Sequence, residues 1–332
     1  MLAAGRGSRL GAIGSLTSKA ALPLLGKALL TRVVETFIGV VDSVVVVVNP
    51  EDKQTLSLIT QTPLNEIEVQ IVEQRQSLGS GDALRKAWPF IDGSCIVSAC
   101  DSLMPAEYIR EFVRHFETTS PDALLAVGTV DEKTGLPSSS IEVGGANRIE
   151  RVIEKPKSSE LLSNKMALPL YAFQHSFQDE LSALEISERG EYELTQAIQN
   201  LIEQGGAVFG FPAPKRVTVN TPLEYLSVIR GMLSDMHGVH IGRGVRMAPS
   251  AMIHPPVYIE KSVVIHSGAS IGPDAYIMSG CVIGSDGKVQ DAIVFRDSEV
   301  PGGSSIRRKI VLPGEVIDLR RSRGSHDRAH RP

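Results

Sequence analysis

The chain has 332 residues, a length that fits two domains or one large one, and 42% of them are hydrophobic, enough for a sizeable core. Its 34 Lys and Arg against 38 Asp and Glu leave a net charge of −4, which excludes a dominant polybasic surface for duplex nucleic acid or anionic lipid. The charge is uneven: residues 320–332 hold five Arg and one acid, so the preceding body stands at −8 and the end reads as a basic, disordered tail.

The first residues, Met1-Leu2-Ala3-Ala4, lead straight into a Gly-rich segment with no room for a full strand before it. A natural start upstream of Met1 is therefore expected. From about Ala28 to Phe37 the pattern reads as a helix, and Ser43 to Val48, continuously β-branched, as a buried parallel strand. Further strands are predicted at Glu68–Val72, Cys95–Ala99 and Leu124–Val127, with helices at Ser80–Ala87 and Ala106–Glu117 between them. That alternation predicts an α/β fold, a doubly wound and mostly parallel sheet. A strand pair follows near Ser140–Val143 and Ile149–Ile153, then helices at Leu194–Gln204 and Pro222–Met236.

After Gly238 the period becomes six. Ile241, Met247, Ile253, Ile259, Ile265, Ile271, Ile277 and Ile283 recur in step, each with a small or branched apolar residue two places earlier. A six-residue period suits a short left-handed parallel β-helix with three faces per coil. The pattern breaks at 285–290 and resumes through Ile293, Val300, Ile306 and Val311. The predicted domains are residues 1–228, then 229–319 comprising a helix end and the coil, then the tail 320–332.

Cys95, Cys100 and Cys281 have no CxxC spacing and read as buried thiols. The apolar run Val44–Val48 is far too short to span a bilayer, and no signal peptide precedes the first motif, so a cytoplasmic location is expected.

Leu2-Ala3-Ala4-Gly5-Arg6-Gly7-Ser8-Arg9-Leu10 places two glycines and a planar cation where ligands bind open α/β sheets. Backbone N–H groups of such a loop can nest a polyphosphate. With Ser18-Lys19 and Leu22-Pro23-Leu24-Leu25-Gly26-Lys27 downstream, the segment resembles the signature of sugar-1-phosphate nucleotidylyltransferases. Other motifs follow in the family's order. Gln74…Leu78-Gly79-Ser80-Gly81-Asp82-Ala83 is similar to the Q-x-x-x-L-G-T-G-H-A segment of N-acetylglucosamine-1-phosphate uridylyltransferases. Asp101 ends a strand; Glu154-Lys155-Pro156, Glu191…Leu194-Thr195 and Asn220-Thr221-Pro222 complete the set.

The resemblance implies a Rossmann-like nucleotide-diphospho-sugar transferase fold followed by a hexapeptide-repeat coil. It also implies transfer of a nucleotidyl group from an NTP, UTP first, to a sugar-1-phosphate, with pyrophosphate released. It gives Arg9 and Lys19 the catalytic phosphates, and gives the nucleotide to Leu2, Ala3, Ala4, Gly5, Gly7, Ser8, Gln74, Gly79 and Ser80. Glu154 and Lys155 take the sugar phosphate, and Asp101 with Asn220 a Mg²⁺ ion. Asn220 also reads as a simple helix N-cap. The implied partners are the two small substrates, with no nucleic acid or membrane, and homo-oligomerisation through the coil is expected. Cys100 replaces the usual Gly before the metal Asp. Met166–Tyr171 lacks the family's N-T-G-I-Y, and Pro137–Ser140 lacks its Gly-aromatic element. Those departures keep a non-catalytic nucleotide binder open as an alternative. His240, His254 and His266 keep open a less favoured reading as a β-helix acyltransferase.

Overall fold

The computed structural model describes residues 1–5, 7–61, 66–130, 136–214 and 217–320. The chain forms two compact units. One comprises Met1–Arg6, Thr17–Leu22 and Ala28–Val217; the other comprises Gly7–Leu16, Pro23–Lys27 and the chain from Thr218 onward. Helix Pro222–Met236 therefore belongs entirely with the coil and is not divided at residue 228. The expected tail begins at Arg320, which is bound to Asp318; residues 321–332 lie outside the described residues.

In the first unit, Ser43–Val48 (β1) pairs in parallel with Glu68–Glu73 (β2). Val46, Val47 and Val48 are fully buried, as an unbroken β-branched run requires. Leu2 extends this sheet by a single residue, bridging Val47 on one side and Ala99 on the other, both in parallel. Helix α1 (Ser80–Ala87) follows β2.

Beyond Leu2 lies Cys95–Ser98 (β3), then Ala123–Thr129 (β4), the hairpin Ser139–Val143 (β5) and Ile149–Glu154 (β6), Lys165–Phe173 (β7), and Val208–Pro212 (β8). The strand β7 is central and runs antiparallel to both β3 and β4, while β8 pairs in parallel with β4. Most strands of this unit run one way; β7 at the centre and β6, the second strand of the hairpin, run the other. Sequence reasoning assigns no strand there, because Pro169 lies within it and the run Lys165–Phe173 has no clean alternation. The register against β4 shifts between Leu125 and Val127, so the proline sits at an irregularity where a missing N–H costs no ladder bond, and its carbonyl accepts from Ala99 N–H at 3.1 Å. Helix α2 (Leu194–Glu203) follows a loop that returns over β6.

In the second unit, helix α3 (Pro222–Met236) leads into a parallel coil. Val239 pairs with Val257 and Val257 with Ala275; Ile241, Ile259 and Ile277 form the next column. Met247, Ile265 and Ile283 stack on a second face and Ile253 on Ile271 on a third. Each inward Ile from Ile259 to Ile283 is essentially fully buried. After the break the frame slips by one residue: Val294, not Ile293, continues the Ile277 column, and Ile293 continues that of Tyr276. Asp291 in the left-handed region (φ 49°) carries the chain through that shortened corner, so Lys288–Val294 runs as one strand. Val300 stacks on Ile283, Ile306 on Val289 and Val311 on Val294. A short strand, Glu315–Asp318, then pairs antiparallel with Lys309–Leu312 and ends the stack.

The opening coil has no layer beneath it. Val239, Ile241 and Met247 are 44%, 47% and 44% exposed although they occupy inward positions. Ile277→Ala should therefore cost about 2–5 kcal/mol, the range for a fully buried isoleucine, whereas Ile241→Ala should cost under about 1 kcal/mol. Urea denaturation followed by circular dichroism measures both; equal costs would contradict the layered core.

Candidate functional site

In the first unit the Gly-rich loop leaves the sheet where Leu2 ends it. Leu2 N–H donates to Ser98 O and Ala3 N–H to Val47 O, each at 2.8 Å, and Cys100 N–H returns a bond to Leu2 O at 3.0 Å. Ala3 and Ala4 are buried, and Gly5 is exposed with open space where a Cβ would stand. The Cys100–Asp101 step is thereby held beside the loop's origin. Burial pushes the Cys100 thiol up to about 12, leaving it protonated and unreactive.

Lys19 Nζ forms an ion pair with Asp101 Oδ2, with both side chains nearly buried. The segment before it is fixed by Ser18 N–H on Gln54 Oε1 at 2.9 Å and by Ser18 Oγ against the buried Thr55 Oγ1, also at 2.9 Å. A lysine expected on phosphate and an aspartate expected on metal thus neutralise each other.

At the end of β2, Gln74 is buried and its Nε2 donates to Gly79 O at 3.1 Å and to Asp82 Oδ2 at 2.8 Å. Gly79 has φ +98°, and a Cβ there would stand 2.6 Å from Tyr192 O, so no other residue fits. The Ser80 hydroxyl accepts the Leu194 N–H at 3.3 Å, which commits it to the start of α2.

The strand β6 ends in Glu154-Lys155. Thr195 Oγ1 donates to Glu154 Oε2 at 3.2 Å, and Lys155 Nζ lies 3.3 Å from Glu191 Oε2. Burial pushes the Glu154 carboxyl above its ordinary 4.5, against the Lys155 charge and the Thr195 bond. Lys155 has φ +42°, a strained conformation for lysine. Arg189 clamps the turn, with Nη2 on Lys155 O at 3.2 Å and Nη1 on Glu193 Oε1 at 2.9 Å. Sequence reasoning missed Arg189, Asp82 and the Thr195 contact. Arg189 stands two residues before a motif already singled out, which is the signal that could have found it. Where the sugar-side motifs depart, Ser139 is buried and its hydroxyl is consumed by Ala167, accepting its N–H at 3.1 Å and donating to its O at 3.0 Å.

In the second unit, Gly7 (φ 60°) opens a short turn, Ser8–Leu10, whose Leu10 is fully buried while Ser8 and Arg9 are exposed. Arg9 Nη2 donates to Asn220 Oδ1 at 3.1 Å. Asn220 is not the N-cap of α3: Thr221 is, accepting Glu224 N–H at 3.2 Å, and Glu224 Oε2 in turn accepts Asn220 N–H at 2.6 Å. The turn Pro23–Lys27 is held by the coil. Gly26 N–H donates to Tyr276 Oη at 3.1 Å, Tyr276 donates to Glu260, and Tyr225 Oη donates to Pro23 O at 2.5 Å. His240 stacks on Tyr258 with centroids 4.1 Å apart, and His240, His254 and His266 are all exposed.

The structure therefore brings together Lys19 with Asp101, Gln74 with Gly79, Glu154 with Lys155, and Arg9 with Asn220. Among the described residues no group of three or more His, Cys, Asp or Glu side chains could by itself hold a metal, and no helix is long and apolar enough to cross a membrane.

The family model for nucleotidyl transferases matches residues 1–216, and a model described as the GMPPB C-terminal domain matches residues 253–319. The chain is 31% identical over 208 residues to the bifunctional protein GlmU of Methanococcus maripaludis, covering 62% of this chain and 47% of that protein. It thus spans about half the length of such relatives. It is 26% identical over 208 residues to the UTP–glucose-1-phosphate uridylyltransferase AglF of Haloferax volcanii, covering 63% of this chain and 84% of that protein. A UDP-glucose pyrophosphorylase solved with UDP-glucose superposes with a TM-score of 0.63 at 18% identity, covering 70% of this chain and 97% of its own, and supports the α/β nucleotide-diphospho-sugar transferase fold. On the match across residues 1–216, the chain belongs to the nucleotidyl transferase family.

Proposed function

We propose that the chain transfers a nucleotidyl group from an NTP, UTP first, to a sugar-1-phosphate. A sugar-phosphate oxygen attacks the α-phosphorus, the bond from that phosphorus to the β-phosphate bridging oxygen breaks, and pyrophosphate leaves with the electron pair. Such a reaction asks the protein for positioning and charge rather than covalent help. The observation that carries this reading is Lys19 on Asp101, next to the origin of the Gly-rich loop.

In this reading Lys19 and Arg9 donate to the outer phosphates and hold the charge of the departing pyrophosphate. The backbone of Leu2, Ala3, Ala4, Gly5, Gly7 and Ser8 cradles the nucleotide, while Gln74 and Gly79 meet the base. Lys155 holds the sugar phosphate, and Glu154, oriented by Thr195, accepts from sugar hydroxyls. Ser80, whose hydroxyl accepts from Leu194 N–H, keeps its O–H free to donate to the nucleotide.

Asp101, a nearly buried carboxylate, is the kind of oxygen donor that a hard divalent cation takes, and the resemblance implies Asn220 as a second ligand. Mg²⁺ would there neutralise phosphate charge as two anions approach. With so few protein ligands, the rest of its shell would be water and phosphate oxygen. A left-handed coil is proposed on the six-residue period and the parallel three-face stacking. Homo-oligomerisation is proposed on the exposed opening coil, and a cytoplasmic location on the reduced thiols and soluble substrates.

Pyrophosphate release across a panel of NTPs and sugar-1-phosphates with Mg²⁺ tests the reaction, with turnover expected for UTP. Asp101→Asn should lower kcat/KM by about 100-fold or more. Unchanged turnover in that variant would remove Asp101 from the cation, and retained nucleotide binding without turnover for any pair would leave a non-catalytic binder.

The raised Glu154 carboxyl carries a second prediction. The folded state holds that proton more tightly than the unfolded chain, so stability is lost as pH rises from 4.5 through the raised value. Glu154→Gln removes this loss. Its unfolding midpoint at neutral pH should match or exceed that of the parent, the advantage should shrink on acidification below the usual carboxylate range, and KM for the sugar phosphate should rise. Calorimetry across pH together with initial rates checks all three.

A further inference from the structure

We propose that Asp82 is a positioning residue that fixes which nucleobases Gln74 accepts. The inference rests on the reading of Gln74 as a base contact and goes one step beyond it. A glutamine amide offers two N–H donors and one oxygen acceptor. Here both Nε2 hydrogens are taken, one by Gly79 O at 3.1 Å and one by Asp82 Oδ2 at 2.8 Å. What remains is Oε1, so towards a ligand this side chain can only accept.

The orientation is set by chemistry. Turning the amide over would press Oε1 against a carbonyl oxygen and a carboxylate oxygen, acceptor against acceptor, inside a site where Gln74 and Asp82 are 3% and 2% exposed. Neither partner can retreat. Gly79 is pinned by its positive φ and by the Tyr192 backbone, which donates its N–H to Leu78 O at 2.7 Å and accepts the Gly81 N–H at 2.8 Å. Asp82 is held within the first turn of α1 by Arg85 Nη2 at 3.3 Å and Lys86 Nζ at 3.6 Å, both on Oδ1, which leaves Oδ2 to Gln74. Arg85 is itself seated 4.3 Å from the centre of the Tyr192 ring.

An acceptor that cannot rotate selects bases that present an N–H at the centre of their Watson–Crick edge. Uracil and thymine do so through N3–H and guanine through N1–H. Cytosine N3 and adenine N1 are themselves acceptors and would meet Oε1 lone pair to lone pair. The substrate class is therefore an imino-bearing nucleoside triphosphate, with CTP and ATP rejected. The uridylyltransferase pattern that this segment resembles carries His in place of Asp82, so the lock is a property of this chain's own residues.

The test is the base ratio of the full chain, read both as kcat/KM for pyrophosphate release and as equilibrium binding by calorimetry for UTP, dTTP, GTP, CTP and ATP, so that loss of turnover does not remove the readout. The best imino-bearing nucleotide should exceed CTP and ATP by about 100-fold or more. Asp82→Asn introduces an amide that can donate to Gln74 Oε1 and let Nε2 face the ligand; it should narrow that ratio by about tenfold or more, whereas Asp82→Glu should keep it. A parent chain that binds CTP or ATP as well as UTP overturns the proposal and needs no variant to fold. If Gln74→Ala collapses the ratio while Asp82→Asn preserves it, Gln74 reads the base and the lock is wrong. If Gln74→Ala leaves the ratio unchanged, the reading of Gln74 itself fails, and the inference with it.

Discussion

The first unit depends on the backbone bonds that seat Met1–Ala3 between two strands. Leu2 with its two neighbours lies between β1 and β3. Met1 O accepts from Val47 N–H at 2.9 Å, Leu2 donates to Ser98 and accepts from Cys100, and Ala3 donates to Val47. Buried backbone groups left unpaired cost about 1–3 kcal/mol each, so these bonds fix the segment tightly despite its brevity. The consequence is positional. The chain leaves the sheet at Ala4-Gly5 and Cys100-Asp101 leaves it alongside, so a glycine-bearing loop and a carboxylate begin from neighbouring points on β-structure.

The second unit contributes to the same N-terminal motif by a different route. Gly7–Leu16 and Pro23–Lys27 pack with the coil unit, while the intervening Thr17–Leu22, which carries Lys19, packs with the other. The coil's Tyr276 is fully buried and spends its hydroxyl on Gly26 N–H and Glu260, and Glu260 also accepts from Ser279 N–H at 3.0 Å. Gly26 is required there twice over, by φ +79° and because a Cβ would lie 2.8 Å from Tyr258 Oη. A repeat that looks like a passive scaffold thus anchors residues adjacent in sequence to Lys19.

How much of this was legible depended on whether the signal was local. The valine run at Ser43–Val48 and the six-residue period are local, and both correspond to observed elements. The central strand β7 is not: Pro169 reads as a breaker, and only pairing on both edges with a register shift opposite the proline makes it tolerable. The one-residue slip at Asp291 is equally invisible, since Ile293 looks as apolar as Val294 and only a corner with φ 49° decides which points inward. The site followed the same rule. Motif resemblance named Gln74, Glu154 and Lys155, but Asp82, Arg189 and Thr195 act on them through folded proximity, and Asn220 yields the cap to Thr221 because Glu224 reaches back to its N–H.

The excess of acid in the body opposes, in bulk, a reaction between two polyanions, but the arrangement of the charges matters more than their sum. Without substrates the cations proposed for phosphate are not bare: Lys19 rests on Asp101, Lys155 on Glu191, and Arg9 donates to the amide oxygen of Asn220. Each pairing keeps a long side chain ordered near the place where charge is wanted, which lowers the entropy lost when a ligand arrives. Substrate phosphates must then compete with carboxylates that already hold the ammonium groups. That competition is least severe at the half-exposed Lys155, where water screens the pair, and greatest at Lys19, whose partner is nearly buried. Under the proposed reaction, the more strongly held cation is the one assigned to the leaving pyrophosphate, where the largest charge develops and where a residue kept out of bulk water stabilises it most.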